Sequence, residues 1–306
     1  MITFLSGGTG TPKLLRGARL LFPDSDITVI VNTGEDMWYQ QGYLCPDIDT
    51  VTYLFSELLN TESWWGITDD SFHTHEFLQT LGAPECYLSL GDRDRAVNLL
   101  RAGLLHAGLT LTKATREIND RLGIGATILP MSNTPCTTYV KHDGKMIHFQ
   151  EYWIKYRANI TIDDVQYISD TPLTATKEVL DAISNAELIV IGPSNPITSI
   201  GPILHCDGVQ EALMNANGYV VSISPFIGDA PISGPARELM IARGHQPNSR
   251  GVYEMYEPFL NCFVQDIRDP IPVQNAVRAD TLMKDAKTAA ELMRFIQNLK
   301  NKSPLS

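Results

Sequence analysis

No surplus of positive charge runs through this chain: 24 lysines and arginines stand against 35 aspartates and glutamates, for a net charge of −11. A protein that grips a nucleic-acid backbone carries the opposite balance, so nucleic acid is not expected as a partner. A single basic pocket for a small anion remains compatible with this balance, because net charge is blind to one cleft. Cysteine is scarce as well. Cys45, Cys86, Cys136, Cys206 and Cys262 are odd in number and far apart, with no CxxC pair. That removes a disulfide scaffold and a structural zinc site, and leaves buried free thiols in a reducing cytosol as the expectation. The histidines show no HExxH spacing. There is no apolar run of membrane-spanning length and no charged leader before a cleavage site, so a soluble, cytoplasmic protein with no membrane partner is expected. Fixed-period repeats and low-complexity linkers are lacking too.

What is present is an ordinary globular composition, 43% hydrophobic and 19% charged over 306 residues, enough for one large domain. Continuous apolar runs at Ile2–Leu5, Ile27–Val31, Ala126–Leu129, Leu188–Ile191 and Tyr219–Ile223 read as strands covered on both faces. Between them, Lys13–Leu21, Thr50–Leu59, Glu76–Leu81, Arg95–Leu105 and Thr112–Leu122 have helical patterning, the last capped by Thr112, and Glu291–Leu299 closes the chain. Thr137–His142 and Lys145–Phe149 flank Asp143-Gly144, a pair suited to a type I′ hairpin turn. The alternation predicts an α/β fold, a doubly wound and mainly parallel sheet. Its core spans about 1–60 and 125–285, with a helical insertion over about 60–125 and the hairpin as an excursion.

The first strand runs into Ser6-Gly7-Gly8-Thr9-Gly10-Thr11-Pro12-Lys13. Glycines let a backbone approach a phosphate, and the first N–H groups of a helix are free to bind it. Pro12 suits the first helical turn, and Lys13 adds a full charge. The pattern is not GxxxxGK[ST], and Lys13 stands where the dinucleotide fingerprint has its third glycine. A phosphate cradle and a tight structural turn both fit. Two more turns follow strands at the same expected sheet edge, where open α/β sheets bind ligands: Gly192-Pro193-Ser194-Asn195-Pro196-Ile197-Thr198-Ser199, and the stretch from Ser224 through Asp229 to Ser233-Gly234-Pro235. Ordinary turn chemistry explains any one of them; three together favour a nucleotide-sized site.

Glu35-Asp36 and Asp47-Ile48-Asp49 flank one loop. A hard divalent cation needs only one or two carboxylates plus phosphate oxygens, a role that suits Asp36 and Asp49. Asp49 equally suits the cap of a helix beginning at Thr50, and Asp36 a solvated loop. Gly91-Asp92-Arg93-Asp94-Arg95 reads either as a helix start with internal ion pairs or as an arginine poised for phosphate charge. His148 on the hairpin reads as structural. Trp64, Trp65 and Trp153 read as core, whereas Trp38, in the acidic loop, offers a face on which an aromatic ring can stack.

Taken in order, SGGTGTPKLL, VNTGEDMW, CPDIDTVTYLF, WWGI, LGDRDRA, ILPMSN, HFQEYW, IGPSNPITSIGPI, SPFIGDAPISGPA and RADTLM resemble the 2-phospho-L-lactate transferase family of coenzyme F420 biosynthesis, known from archaea and actinobacteria. The resemblance implies a Rossmann-like homodimer that requires magnesium. It implies transfer of a phospholactate or phosphoenolpyruvyl group from a guanosine diphosphate ester to the ribityl hydroxyl of 7,8-didemethyl-8-hydroxy-5-deazariboflavin, with release of GMP. It places Gly7, Gly8, Thr9, Gly10 and Lys13 at the diphosphate, and Ser194, Asn195 and Thr198 at the nucleotide. Asp36 and Asp49 fall at the metal and in catalysis, Arg93 at developing charge, and Asp49, Thr50, Ser89 and Trp38 at the deazaflavin acceptor. Asn133 stands where the family more often has an acidic residue. The rival readings are a regulatory protein of the related nucleotide-sugar-binding group and a nicotinamide-dependent dehydrogenase. The missing third glycine weighs against the dehydrogenase.

Overall fold

The computed structural model describes every residue except 84, 85, 229, 232, 233 and 303–306. In chain order the first elements are β1 (Ile2–Ser6), α1 (Gly10–Ala18), β2 (Ile27–Val31), the ribbon β3 (Met37–Tyr39) with β4 (Gly42–Leu44), and α2 (Pro46–Phe55). Then come α3 (His73–Thr80), α4 (Asp92–His106) and α5 (Leu111–Arg121), followed by β5 (Thr127–Pro130), β6 (Thr137–His142), β7 (Lys145–His148), β8 (Asp164–Ile168), β9 (Leu188–Ile191) and β10 (Tyr219–Ile223). Seven strands form one parallel sheet in the order Val277–Ala279, Cys262–Asp266, β10, β9, β1, β2, β5. The chain runs outward from β1 to β2 and β5, then returns to the other side of β1. The order therefore reverses between β1 and β9, and a crevice opens there at the carboxyl ends of the strands. This is the doubly wound, Rossmann-like α/β fold.

The strands are continuous apolar runs because both faces are covered. Phe4, Val29, Val31, Val190 and Val221 enter one buried cluster with Leu14, Leu15 and Met293, while Leu5, Ile30, Ile189 and Ile191 enter another with Val179, Ile200 and Ile203. Alternate side chains of a strand point to opposite faces, which divides them in this way. The N-terminal helix α1 packs on the C-terminal helix Ala286–Lys302 without room for a side chain. A Cβ at Gly17 would lie 2.3 Å from the Ala289 carbonyl carbon. Gly17→Ala is therefore expected to lower stability by about 1–3 kcal/mol through overpacking, read as a lower urea midpoint with an unchanged slope.

Several boundaries differ from the sequence reading. The helix expected from Thr50 starts four residues earlier, with Pro46 in its first turn and Cys45 as its N-cap, a position that proline's fixed φ favours. Asp49 is thus inside the helix and does not cap it. Thr110, not Thr112, caps α5 by accepting from Lys113 N–H. The Asp143-Gly144 turn has positive φ at both residues, as a type I′ hairpin requires. A third strand absent from the sequence reading, β8, pairs with β6 on the side away from β7. All five cysteines are free, four of them buried. Among the described residues no helix is long and apolar enough to cross a membrane.

Candidate active site

At the switch point the turn after β1 and the turn after β9 press backbone against backbone. Gly8 has φ +55°, and a Cβ on Gly10 would fall 2.0 Å from the Pro193 carbonyl oxygen. Ser194 pins the two turns together: its hydroxyl donates to the Gly7 carbonyl (2.6 Å), accepts from Thr11 N–H (3.0 Å) and lies 2.7 Å from Thr11 Oγ1. Its bonding capacity goes to the scaffold. Asn195 turns its own loop, accepting from the N–H groups of Ile197 and Thr198. Gly8, Thr9, Gly10, Ser194, Asn195 and Thr198 all line one open cleft with about 750 Å³ of empty space.

Under that cleft lies a cluster of buried carboxylates built by the β2 loop and the first turn of α2. Asp47 accepts from Gly8 N–H and from Asn32 Nδ2, both at 2.7 Å, and Asn32 also donates to the Thr198 carbonyl at 3.1 Å. One asparagine thereby ties the acidic loop to both ligand turns. Burial pushes Asp47 up to about 6, against the relief of those two hydrogen bonds. Glu35 lines the cleft, accepts from Gln150 Nε2, and is raised well above the usual carboxylate range by burial and by Asp47. Asp36 is raised well above that range too, first by burial, with the Cys45 thiol and Arg101 acting the other way. Apart from the Cys45 thiol, neither of its buried carboxylate oxygens has a hydrogen-bond partner. That donor-poor, acceptor-rich setting is one a hard cation would fill.

Asp49 is different. It forms a buried ion pair with Arg101, whose Nη1 and Nη2 both reach it, and Arg101 also donates to the Tyr43 carbonyl (2.9 Å) and Asn98 Oδ1 (3.1 Å). Burial raises Asp49 while Arg101 opposes the rise. Next along the network, Tyr53 donates to Asp94 at 2.8 Å, and Asp94 is pushed up to about 7 by burial. Asp49, Thr50, Tyr53, Trp65 and Asp94 surround a small cavity, and Thr50 and Trp65 also line the main cleft.

The far wall of the cleft is aromatic: Trp64, Trp65, Phe149 and Trp153 line it. Trp64 and Trp65 pack against the core and also line the cleft, whereas Trp153 is exposed there and is not a core residue. Lys13 sits beside it, its Nζ 5.5 Å from the Trp64 ring centre, with Arg16 at 5.0 Å from that ring. Burial and the neighbouring Arg16 lower the Lys13 pKa.

Three expected site residues lie elsewhere. Trp38 is half exposed, stacks on His106 at 4.9 Å, and lines a separate depression with Tyr43, Leu109 and Asn133. Ser89 and Arg93 are exposed and line neither the cleft nor the small cavity. The start of α4 is organised by Asp70, which accepts from the Arg93 and Asp94 N–H groups, so the DRDR run serves first as a helix start. The arginine that meets the carboxylates is Arg101. Asp94, Asn98 and Arg101 form a buried polar stripe at i, i+4, i+7 of α4, a signal the sequence does contain. Asn133 accepts from Thr112 N–H and Oγ1, which accounts for an amide there. Asp229 and Ser233 of the third turn lie outside the described residues; Gly234 and Pro235 line the cleft.

The family described as 2-phospho-L-lactate transferase CofD matches residues 2–298. The chain belongs to the 2-phospho-L-lactate transferase family. Proteins named 2-phospho-L-lactate transferase agree along nearly the whole length: one from Methanospirillum hungatei is 55% identical, covering 97% of this chain and 99% of its own. Another from Methanocorpusculum labreanum is 50% identical over 95% and 96%, and one from Methanosarcina barkeri 43% identical over 98% of both chains. A solved structure of a Bacillus halodurans protein of the upf0052 family superposes with a TM-score of 0.64 at 18% identity, over 96% of this chain and 98% of that one, which speaks for the fold alone. As a member of the 2-phospho-L-lactate transferase family the chain is a transferase.

Proposed function

We propose that this transferase moves a phospholactate or phosphoenolpyruvyl group from a guanosine diphosphate ester to the terminal ribityl hydroxyl of 7,8-didemethyl-8-hydroxy-5-deazariboflavin, releasing GMP, as a step of coenzyme F420 biosynthesis. The observation that carries the reading is one cleft with three unlike walls. Glycine-rich turns that bring bare backbone to the cleft, with the Lys13 cation beside it, suit a diphosphate. An aromatic wall of Trp64, Trp65 and Trp153 suits a planar ring. The carboxylates Glu35 and Asp47 also line it, with Asp36 buried beside them.

In this reaction the ribityl oxygen bonds to the phosphorus that bears the organic acid, the bond from that phosphorus to the oxygen of GMP breaks, and GMP departs with that oxygen. Asp49 adjoins the cleft through Thr50 and orients the hydroxyl. Asp47, which lines the cleft and titrates at about 6, takes its proton. Gly8, Gly10 and Lys13 hold the departing diphosphate side. Transfer of this kind needs alignment and charge neutralisation more than a strong base. Among the described residues no three His, Cys, Asp or Glu side chains converge on an ion by themselves. Magnesium would be held by Asp36 with phosphate oxygens and water, since both Asp49 oxygens are engaged by Arg101, and when bound it would supply charge neutralisation at the phosphates.

The test is to mix the protein with the deazaflavin, magnesium and each guanosine diphosphate ester in turn, and to follow GMP release and product mass. GMP together with a deazaflavin heavier by the phosphorylated acid, lost in Asp49→Ala, is the expected result and names the donor. Tight binding without turnover on either donor would instead mark a binding protein of the nucleotide-sugar group.

A further inference from the structure

Gln150 follows β7 directly and stands between the aromatic wall and the acid cluster. Gln150 lines the cleft together with its neighbours Phe149, Trp153 and Ile154 and with Glu35. The side chain is 3% exposed. Its backbone N–H is held by His148 Nδ1 at 3.1 Å, which fixes the residue at the strand end. Its Nε2 donates to Glu35. Oε1 is then left buried with no partner. A buried acceptor left bare destabilises a fold, and such a group calls for an explanation in a bound partner. The partner must be a donor.

The geometry points to Gln150 as the residue that selects the acceptor by its hydroxylated side chain, with Oε1 accepting a hydrogen bond from a ribityl hydroxyl. This rests on the transferase reading above. A ring stacked on Trp64, Trp65 or Trp153 whose reactive end reaches the carboxylates must run its side chain past Gln150. A polyol there supplies the missing donor, whereas an alkyl chain leaves Oε1 bare. Recognition by a buried polar group discriminates strongly against the analogue that lacks the matching hydroxyl.

The experiment measures deazaflavin binding by fluorescence in the absence of donor, with the ribityl compound and with its N10-pentyl analogue. Wild-type protein is expected to prefer the ribityl compound at least about tenfold. In Gln150→Met that preference falls to about twofold or less, while GMP binding stays as in wild type. Equal binding of both compounds by wild-type protein overturns the proposal without any variant. So does a Gln150→Met protein that keeps the full preference, or one that loses GMP affinity in place of ribityl affinity. If wild-type protein binds neither deazaflavin, the functional reading itself fails, a different outcome from loss of selectivity.

Discussion

Asp36→Asn is expected to make the protein more stable and nearly inactive. The carboxylate is buried with no partner for its oxygens apart from the Cys45 thiol, and an uncompensated buried group of that kind costs about 1–3 kcal/mol. The amide cannot ionise and brings two donors. Turnover should fall roughly 10²–10³-fold, the scale of losing one preorganised electrostatic contact at a transferring phosphoryl group. The thermal midpoint should rise by about 2–4 °C for each kcal/mol regained. A variant that melts lower and keeps its turnover would show Asp36 to be a scaffold residue.

The same cluster sets a pH dependence whose sign can be worked out. Burial raises Asp47 to about 6 and Asp94 to about 7, and lifts Glu35 and Asp36 in the same direction. In the unfolded chain these groups lose their protons near the ordinary carboxylate value. Between about pH 4 and 7 the folded protein therefore holds more protons than the unfolded one, and stability falls as pH rises through that window. Asp266, lowered to about 2 by its Arg268 and Thr281 bonds despite burial, acts with the opposite sign and only below that window. Urea midpoints in chelator should drop from pH 5 to pH 8, drop less in Asp36→Asn, and recover in wild type when magnesium is added.

The largest stability loss should follow Arg101→Met. Arg101 is fully buried, as is its partner Asp49, and it also satisfies the Tyr43 carbonyl and the Asn98 amide oxygen. Removing one partner of a buried pair leaves an uncompensated charge and costs about 3–5 kcal/mol. Replacing both, in Asp49→Asn with Arg101→Met, should restore most of that, because no charge is left unpaired. Transfer should remain lost in both proteins. A single variant as destabilised as the double would show that Arg101 acts through packing alone. Either way the clamp matters for architecture, since it ties α4, the ribbon strand β4 and α2 to one point beneath the cleft.

Much of this arrangement is legible in the residues. Leu188–Ile191 and Tyr219–Ile223 are strands because four or five β-rich apolar residues in a row can only be covered on both faces. Asp143-Gly144 is a turn because both positions tolerate left-handed backbone. The ligand turns after β1 and β9 announce themselves through glycine, proline and serine. The identities within the site were harder. Trp64, Trp65 and Trp153 have the composition of a core and the position of a wall, and no periodicity separates the two. Arg93 and Arg101 are alike as charges. Only the docking of α4 against α2 decides that the first stays in solvent and the second is buried on Asp49, because that contact joins residues 52 positions apart.

By itself, then, the order of residues determined five of the seven sheet strands and the glycine turns, which depend on patterns within a few residues; Cys262–Asp266, Val277–Ala279 and the strand order came only with the fold. Which carboxylate stands bare and which is paired was decided only by tertiary structure. Asp36 and Asp49 sit in equally acidic stretches, and they differ because burial deprives both of water while the Arg101 guanidinium hydrogen-bonds just one of them.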